Sequence, residues 1–177
     1  MPSLRTLAHN ANTRLRDFVT KALAGPPRKA RKPNAAIYRR KDRLIVHSQS
    51  KTTSGLWIGC EPYIVLPVNA SDRELGEAVL AALEQSREFV PNPQQSQWHE
   101  ITAPLLEAGG AASWEDFSRK TVLVNARQSE QSILFDVWEN LGVQNGFAPK
   151  QDCQISVRFG SADEIGAALR KALKLAR

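Results

Sequence analysis

The chain reads as an α+β protein: two antiparallel β-meander-plus-helix units, preceded by an N-terminal helix. Three observations predict this. First, an apolar run from Tyr63 to Leu66 stops at Pro67 and is followed by Ser71, with Glu74 three residues on. That spacing is a capping box, in which the serine hydroxyl accepts a first-turn amide and the glutamate bonds back. Leu75, Val79, Ala82 and Leu83 then recur on one helical face. Second, the same plan returns ninety positions later, where Ser161, Glu164, Ile165, Gly166, Ala168 and Leu173 match Ser71, Glu74, Leu75, Gly76, Ala78 and Leu83. Third, short segments rich in β-formers, separated by short polar turns, precede each helix, a pattern that favours antiparallel neighbours.

The N-terminal segment carries Leu4, Leu7, Ala11, Leu15, Phe18 and Ala22 at near-helical spacing, with Arg5, Arg14, Arg16 and Lys21 between them. Gly25-Pro26-Pro27 ends that helix. RKARKP follows as an exposed linker, so residues 1–34 read as a basic arm and 35–177 as one α+β domain. The domain comprises two units, 35–86 and 119–177, joined by an irregular, partly helical stretch, 87–118.

In the first unit, Ala36-Ile37-Tyr38 and Leu44-Ile45-Val46-His47 flank a polar hairpin turn at Arg39–Asp42. A polar loop, SQSKTTSG, precedes Leu56-Trp57-Ile58, and a turn at Gly59–Pro62 precedes Tyr63–Leu66. In the joining stretch, Pro91, Pro93 and QQSQ mark a loop. The segment 103–110 reads as a short helix with Pro104 in its first turn and glycine past its end. Ser113 with Asp116 starts another turn of helix, with Trp114 packing inward. In the second unit, Thr121–Val124, Ser132–Asn140 and Cys153–Phe159 read as strands, and Asn145-Gly146 as a turn. Gly76 and Gly166 lie inside helices, where glycine costs up to about 1 kcal/mol against alanine. Their recurrence predicts close approach of the helix to a sheet or to its partner helix.

Composition bounds the function. A 177-residue chain with 42% hydrophobic and 24% charged residues is an ordinary soluble domain. No window approaches the run of about 20 apolar residues that spans a bilayer, and the N-terminus lacks the apolar core of a secretory signal. Its Arg-rich, nearly acid-free character is also compatible with an organelle transit peptide. Cys60 and Cys153 have no nearby His or Cys partner, so they read as reduced, inert thiols of a cytoplasmic protein, with no metal and no cofactor. The net charge of +6 is unevenly spread. Residues 1–51 hold 13 Lys+Arg against 2 Asp+Glu, a balance of +11, while 52–177 hold 11 against 16, a balance of −5. A basic arm joined to a mildly acidic body supports one nucleic-acid reading, through Arg28, Lys29, Arg31, Lys32, Arg39 and Arg40. The alternative is a helix packed on the body, followed by a solvated loop.

No P-loop, nucleophile elbow, GxGxxG or HExxH is present. His9, His47 and His99 are scattered; His47 near Ser48, Ser50 and Lys51 is the one arrangement that invites a nucleophile–base reading, and a structural histidine accounts for it equally. The chain is therefore read as a non-enzyme. In SILFDVWEN, Ile133, Phe135 and Val137 alternate onto one face, leaving Leu134, Asp136 and Trp138 on the other. A carboxylate beside a tryptophan suits partner contact, because aromatic anchors dominate interface energetics. Equally, Trp57 and Trp138 could fill a second core layer with Asp136 at its rim.

SKTTSGLWIGCEPYIVLP followed by SDRELGEAVLAALEQSR resembles the contact-dependent growth inhibition (CDI) immunity proteins of bacteria. That family pairs a Ser-x-Thr-Thr-x-Gly loop with an Ile/Val-rich strand and an E-L-G helix. The resemblance continues through LLEAGGAASWEDF and SADEIGAALRKAL and covers residues 35–175. It implies a cytoplasmic protein that binds the C-terminal toxin domain of a delivered exoprotein, commonly a nuclease, and blocks its active site. It further implies a two-unit fold like that of the Whirly single-stranded-DNA-binding proteins, without carrying over their DNA binding. The basic arm departs from the acidic character expected of a partner for basic nucleases. On this reading the contact residues are His47, Trp57, Glu61, Asp136, Trp138 and Glu139.

Overall fold

The computed structural model describes residues 32–176. The helix expected over 4–23, together with Arg28, Lys29 and Arg31, lies outside them. The described chain runs β1 (Asn34–Arg40), β2 (Arg43–Thr52), β3 (Trp57–Pro67), α1 (Asp72–Gln85), β4 (Glu88–Val90), α2 (Trp98–Gly109), α3 (Trp114–Ser118), β5 (Val122–Gln128), β6 (Ser132–Asn140), β7 (Phe147–Arg158) and α4 (Ala162–Leu175). A 3₁₀ turn at Gln95–Gln97 leads into α2.

All strands join one seven-stranded sheet in the order β3-β2-β1-β5-β6-β7, with the short β4 against β2. Every pairing is antiparallel except β2 with β4. The central joint is β1 against β5, where Ile37 faces Val124.

Both long helices begin as their sequences require. Ser71 and Ser161 each accept the amide of the glutamate three residues on, and each glutamate bonds back, closing two capping boxes. The helices lie side by side on one face of the sheet. Leu75, Val79 and Leu83 of α1 and Ile165, Leu169 and Leu173 of α4 bury against Ile37, Leu44, Val46, Val124, Ile133, Phe135 and Val137. Each fully buried side chain of this size contributes roughly 1.5–3 kcal/mol, so this layer carries most of the stability. Arg170 ties the helices further by donating to the Asp72 carboxylate at 2.7 Å and the Ala70 carbonyl at 2.6 Å.

The helix glycines sit at the helix–helix contact. A methyl group on Gly76 would lie 1.8 Å from the Ala162 carbonyl oxygen, and one on Gly166 would lie 1.7 Å from that of Asp72. Of the two approaches the sequence left open, the partner helix is the one observed.

The other sheet face carries a second, smaller core of Ala36, Tyr38, Ile45, Leu105, Phe117 and Leu123. The joining segment crosses to this face, where α2 packs on β3 and β2.

Several expectations change. The polar SQSKT is strand: β2 continues to Thr52 because its backbone pairs with β3 and then β4, and Ser50, Thr52 and Ser48 are buried. Gly59–Pro62 is not a turn, since β3 runs through it. The register passes from His47↔Tyr63 to Ser48↔Cys60, so Glu61 and Pro62 form a bulge. Helix α2 starts at Trp98, earlier than expected, which places Pro104 in its interior; Gly110 closes it in the left-handed conformation, φ 58°. Trp114 is 41% exposed, and Phe117 takes the inward position under it. Strand β7 begins at Phe147, well before Cys153.

Candidate functional site

The second face of the sheet is where side chains outside the main core gather. Alternation sends Asn34, Ala36 and Tyr38 of β1 to this side, with His47 and Gln49 of β2 and Asn125 and Arg127 of β5. Asp136 and Trp138 of β6 and Gln154 of β7 join them. Register then lines up a cross-strand row, His47–Ala36–Asn125–Asp136–Gln154. On this face the helices α2 and α3 reach the β5–β7 part of the sheet at its Leu123, Trp138 and Phe147 end, through Leu105 and Phe117.

Asp136 is the hub of the β5–β7 half. Arg127 grips its carboxylate with two guanidinium nitrogens, Nη2 to Oδ1 at 2.8 Å and Nε to Oδ2, and Gln154 Nε2 donates to Oδ1 at 2.8 Å. Bidentate, charge-assisted contacts of this kind fix geometry as well as adding energy. The hydrogen bonds with Asp136 hold the Arg127 guanidinium even more firmly charged than usual. The Asp136 side chain is 13% exposed against 51% for Arg127, so the surface offered outward is the arginine rather than the carboxylate.

Five buried polar atoms on this face lack a hydrogen-bond partner among the described residues: Asn34 Oδ1, Gln49 Oε1, Asn125 Oδ1, His47 Nε2 and Trp138 Nε1. Buried polar groups ordinarily find partners, in protein or in ordered water.

His47 itself is 2% exposed and stacks between Tyr38, 5.7 Å away, and Tyr63, 5.0 Å away. Its Nδ1 donates to the Ser48 carbonyl at 2.8 Å. Burial pulls the imidazole down from 6.5 to about 4, against the opposing hydrogen bond, so it is neutral at physiological pH. Neither nearby serine serves as a nucleophile partner. Ser48 follows His47 and points to the opposite face, and Ser50 Oγ accepts the Arg87 amide. Through Tyr63, His47 shapes the surface without reaching it.

The remaining expected residues divide. Trp57 is half-buried, with Lys51 Nζ 5.8 Å from its ring. Glu61 stands exposed on the β3 bulge, away from β6. Glu139 is exposed next to Trp138, which packs into the second core layer. The structure therefore puts Asp136 and Trp138 on one face of β6 and Glu139 on the other, and places His47, Trp57 and Glu61 on the other half of the sheet. Of the basic residues, Lys32 is exposed and Arg39 half-buried. Arg40 is 3% exposed, donating to Asp116 at 2.8 Å and to the Gly109 carbonyl at 3.2 Å, so it is committed to the fold.

Beside Trp138 opens a basin of about 460 Å³ between the start of β5, the end of β6 and the end of α4. Trp138 and Glu139 line it together with Arg119, Lys120, Asn140 and Lys150. Asn140 frames the floor: its Nδ2 donates to the Ser118 and Thr121 carbonyls at 2.7 and 2.8 Å, and its Oδ1 accepts the Gly142 amide. Lys150 reaches the basin because β7 bulges between Pro149, opposite Trp138, and Gln154, opposite Asp136. Arg127, Lys120 and Lys150 escape sequence reasoning, since only the register reveals their neighbours.

Among the described residues, no group of three or more His, Cys, Asp or Glu is placed to hold a metal, and no helix is long and apolar enough to cross a membrane. Fold and site together define an α+β protein whose seven-stranded sheet carries two long helices on one face and a polar cluster beside a smaller core on the other. Residues 33–176 match the CDI immunity protein family, and the chain belongs to that family. Among solved structures, it is similar to a protein of unknown function from Neisseria meningitidis. That match has 19% identity and a TM-score of 0.71, and covers 86% of this chain and 99% of that one. It is also similar to a chain of a CdiA-CT/CdiI toxin and immunity complex from Yersinia pseudotuberculosis, at 17% identity and TM-score 0.67, over 83% of this chain and 98% of that one. At such identities these likenesses establish the shared fold. No curated protein matches the chain.

Proposed function

We propose that this protein acts in the cytoplasm as the immunity partner of one CDI toxin, a nuclease, and neutralises it by binding over its active site rather than by catalysis. Family membership supports the partner class. The observation that carries the choice of surface is the Arg127–Asp136–Gln154 cluster beside Trp138, whose Arg127 guanidinium is half exposed. A rigid, prearranged polar cluster next to an aromatic residue loses little freedom on binding, which favours affinity. The acidic balance of residues 52–177 would speed encounter with a basic nuclease.

We also infer that the two halves descend from one duplicated β-meander-plus-helix unit, in a Whirly-like arrangement. The sheet order β3-β2-β1-β5-β6-β7 supports this, as do the matching capping boxes and bulges in both edge strands.

The test is titration calorimetry with the toxin domain encoded immediately upstream. Asp136→Ala and Trp138→Ala, each checked for an unchanged fold, should weaken binding at least tenfold. Unchanged affinity in both would move the contact surface elsewhere.

A further inference from the structure

We propose that the basin beside Trp138 receives an acidic side chain of the toxin domain, whose carboxylate docks between Lys120 and Lys150. This rests on the immunity reading and deepens it. Residues 52–177 are net acidic, yet the basin lining reverses that sign locally: Arg119, Lys120 and Lys150 outnumber the one carboxylate, Glu139.

The free hydrogen-bonding capacity of the basin is mostly donor. Asn140 already occupies the Ser118 and Thr121 carbonyls with its amide, and the Gly142 amide satisfies its oxygen. Lys120 has no hydrogen-bond or ion-pair partner among the described residues, and Lys150 makes only a long 3.4 Å contact to the Leu175 carbonyl. Arg119 spends one Nη on Glu115, leaving its other N–H groups available. A site that offers ammonium and guanidinium donors on a fixed frame selects an anionic acceptor.

Lys120 also occupies a backbone position that suits it poorly. Its φ is 61°, in the left-handed region where glycine or asparagine is at ease and a lysine is strained. A charged side chain held at strain beside an open basin fits a binding role better than a folding role. A partner carboxylate is preferred to a free small anion because the basin adjoins the Asp136 cluster, so one docked surface covers both.

The experiment measures affinity for the upstream-encoded toxin domain, using the full chain. Lys120→Glu with Lys150→Glu should lower affinity at least 100-fold and flatten its dependence on salt. Lys120→Gly should lower affinity about tenfold while leaving the thermal midpoint unchanged or raised, separating binding from folding. Single Asp/Glu→Lys changes in the toxin domain should include one that restores binding to the doubly reversed variant. If the wild type binds but the double variant binds as tightly, the basin proposal is overturned and the immunity reading stands. Failure of the wild-type protein to bind at all would overturn both. Millimolar phosphate that raises the thermal midpoint through Lys120, with toxin affinity unaffected by the variants, would make the basin a small-anion site and overturn the proposal.

Discussion

Gly76 and Gly166, ninety positions apart, face each other's helices in the same way. A methyl group on the first would meet the Ala162 carbonyl oxygen at 1.8 Å, and one on the second would meet the Asp72 carbonyl oxygen at 1.7 Å. Each glycine thus accepts the first turn of the opposite helix, and the two helices can pack only as closely as both positions allow.

Gly76→Ala and Gly166→Ala should each destabilise the protein by about 2–3 kcal/mol, because backbone rather than a flexible side chain blocks the added methyl. The double variant should lose less than the sum, since one outward shift of the helices relieves both clashes. Urea denaturation reads this directly. An alanine that leaves stability untouched would contradict the close helix packing.

The buried imidazole of His47 predicts a pH dependence. The folded state holds it near 4 while the unfolded chain takes up a proton near 6.5. Below 6.5 the unfolded state therefore binds more protons, so stability is whole above that pH, falls toward pH 4 and levels below it. The loss is roughly 3 kcal/mol at about 1.4 kcal/mol per unit. Glu74 and Asp116, lowered by hydrogen bonds from Ser71 and Arg40, act in a lower window, from their ordinary 4.5 and 3.8 downward. His47→Gln should remove the slope between pH 6.5 and 4; a slope that persists would assign it to other groups.

Phe89 is 72% exposed and sits at φ 60°, a left-handed conformation that a bulky side chain adopts at a cost. Phe89→Asn should raise stability by about 0.5–1 kcal/mol, as strain is relieved and little buried contact is lost. A thermal melt showing a clear loss would mean that the ring packs in solution.

The Arg40–Asp116 pair predicts an asymmetry. Arg40 is almost wholly buried, so Asp116→Ala strands its charge, whereas Arg40→Met with Asp116→Ala removes charge and partner together. The double variant should melt at a higher temperature than Asp116→Ala alone. The reverse order would show that the pair itself, rather than the stranded charge, dominates.

What could be read in advance follows the range of the interaction. Ser71 with Glu74 and Ser161 with Glu164 lie within one helical turn, so both caps were legible and both are present. The face shared by Asp136 and Trp138 followed from alternation along one strand. Partnership across strands did not. Arg127 meets Asp136 only through the β5–β6 register, and Lys150 enters the basin only because β7 bulges. The SQSKT segment looked like loop because its residues are polar, yet backbone pairing on two sides makes it strand. Trp114 and Phe117, three residues apart, share one helical face and stack, and composition does not reveal that Phe117 is the ring that is buried.

Titrating the upstream-encoded toxin domain with this protein, while following both complex formation and toxin activity, tests the central claim most directly. The account predicts a one-to-one complex with toxin activity abolished at equivalence, and marked weakening by Asp136→Ala and Trp138→Ala. Full toxin activity in the presence of excess protein, with no complex detected, would contradict it.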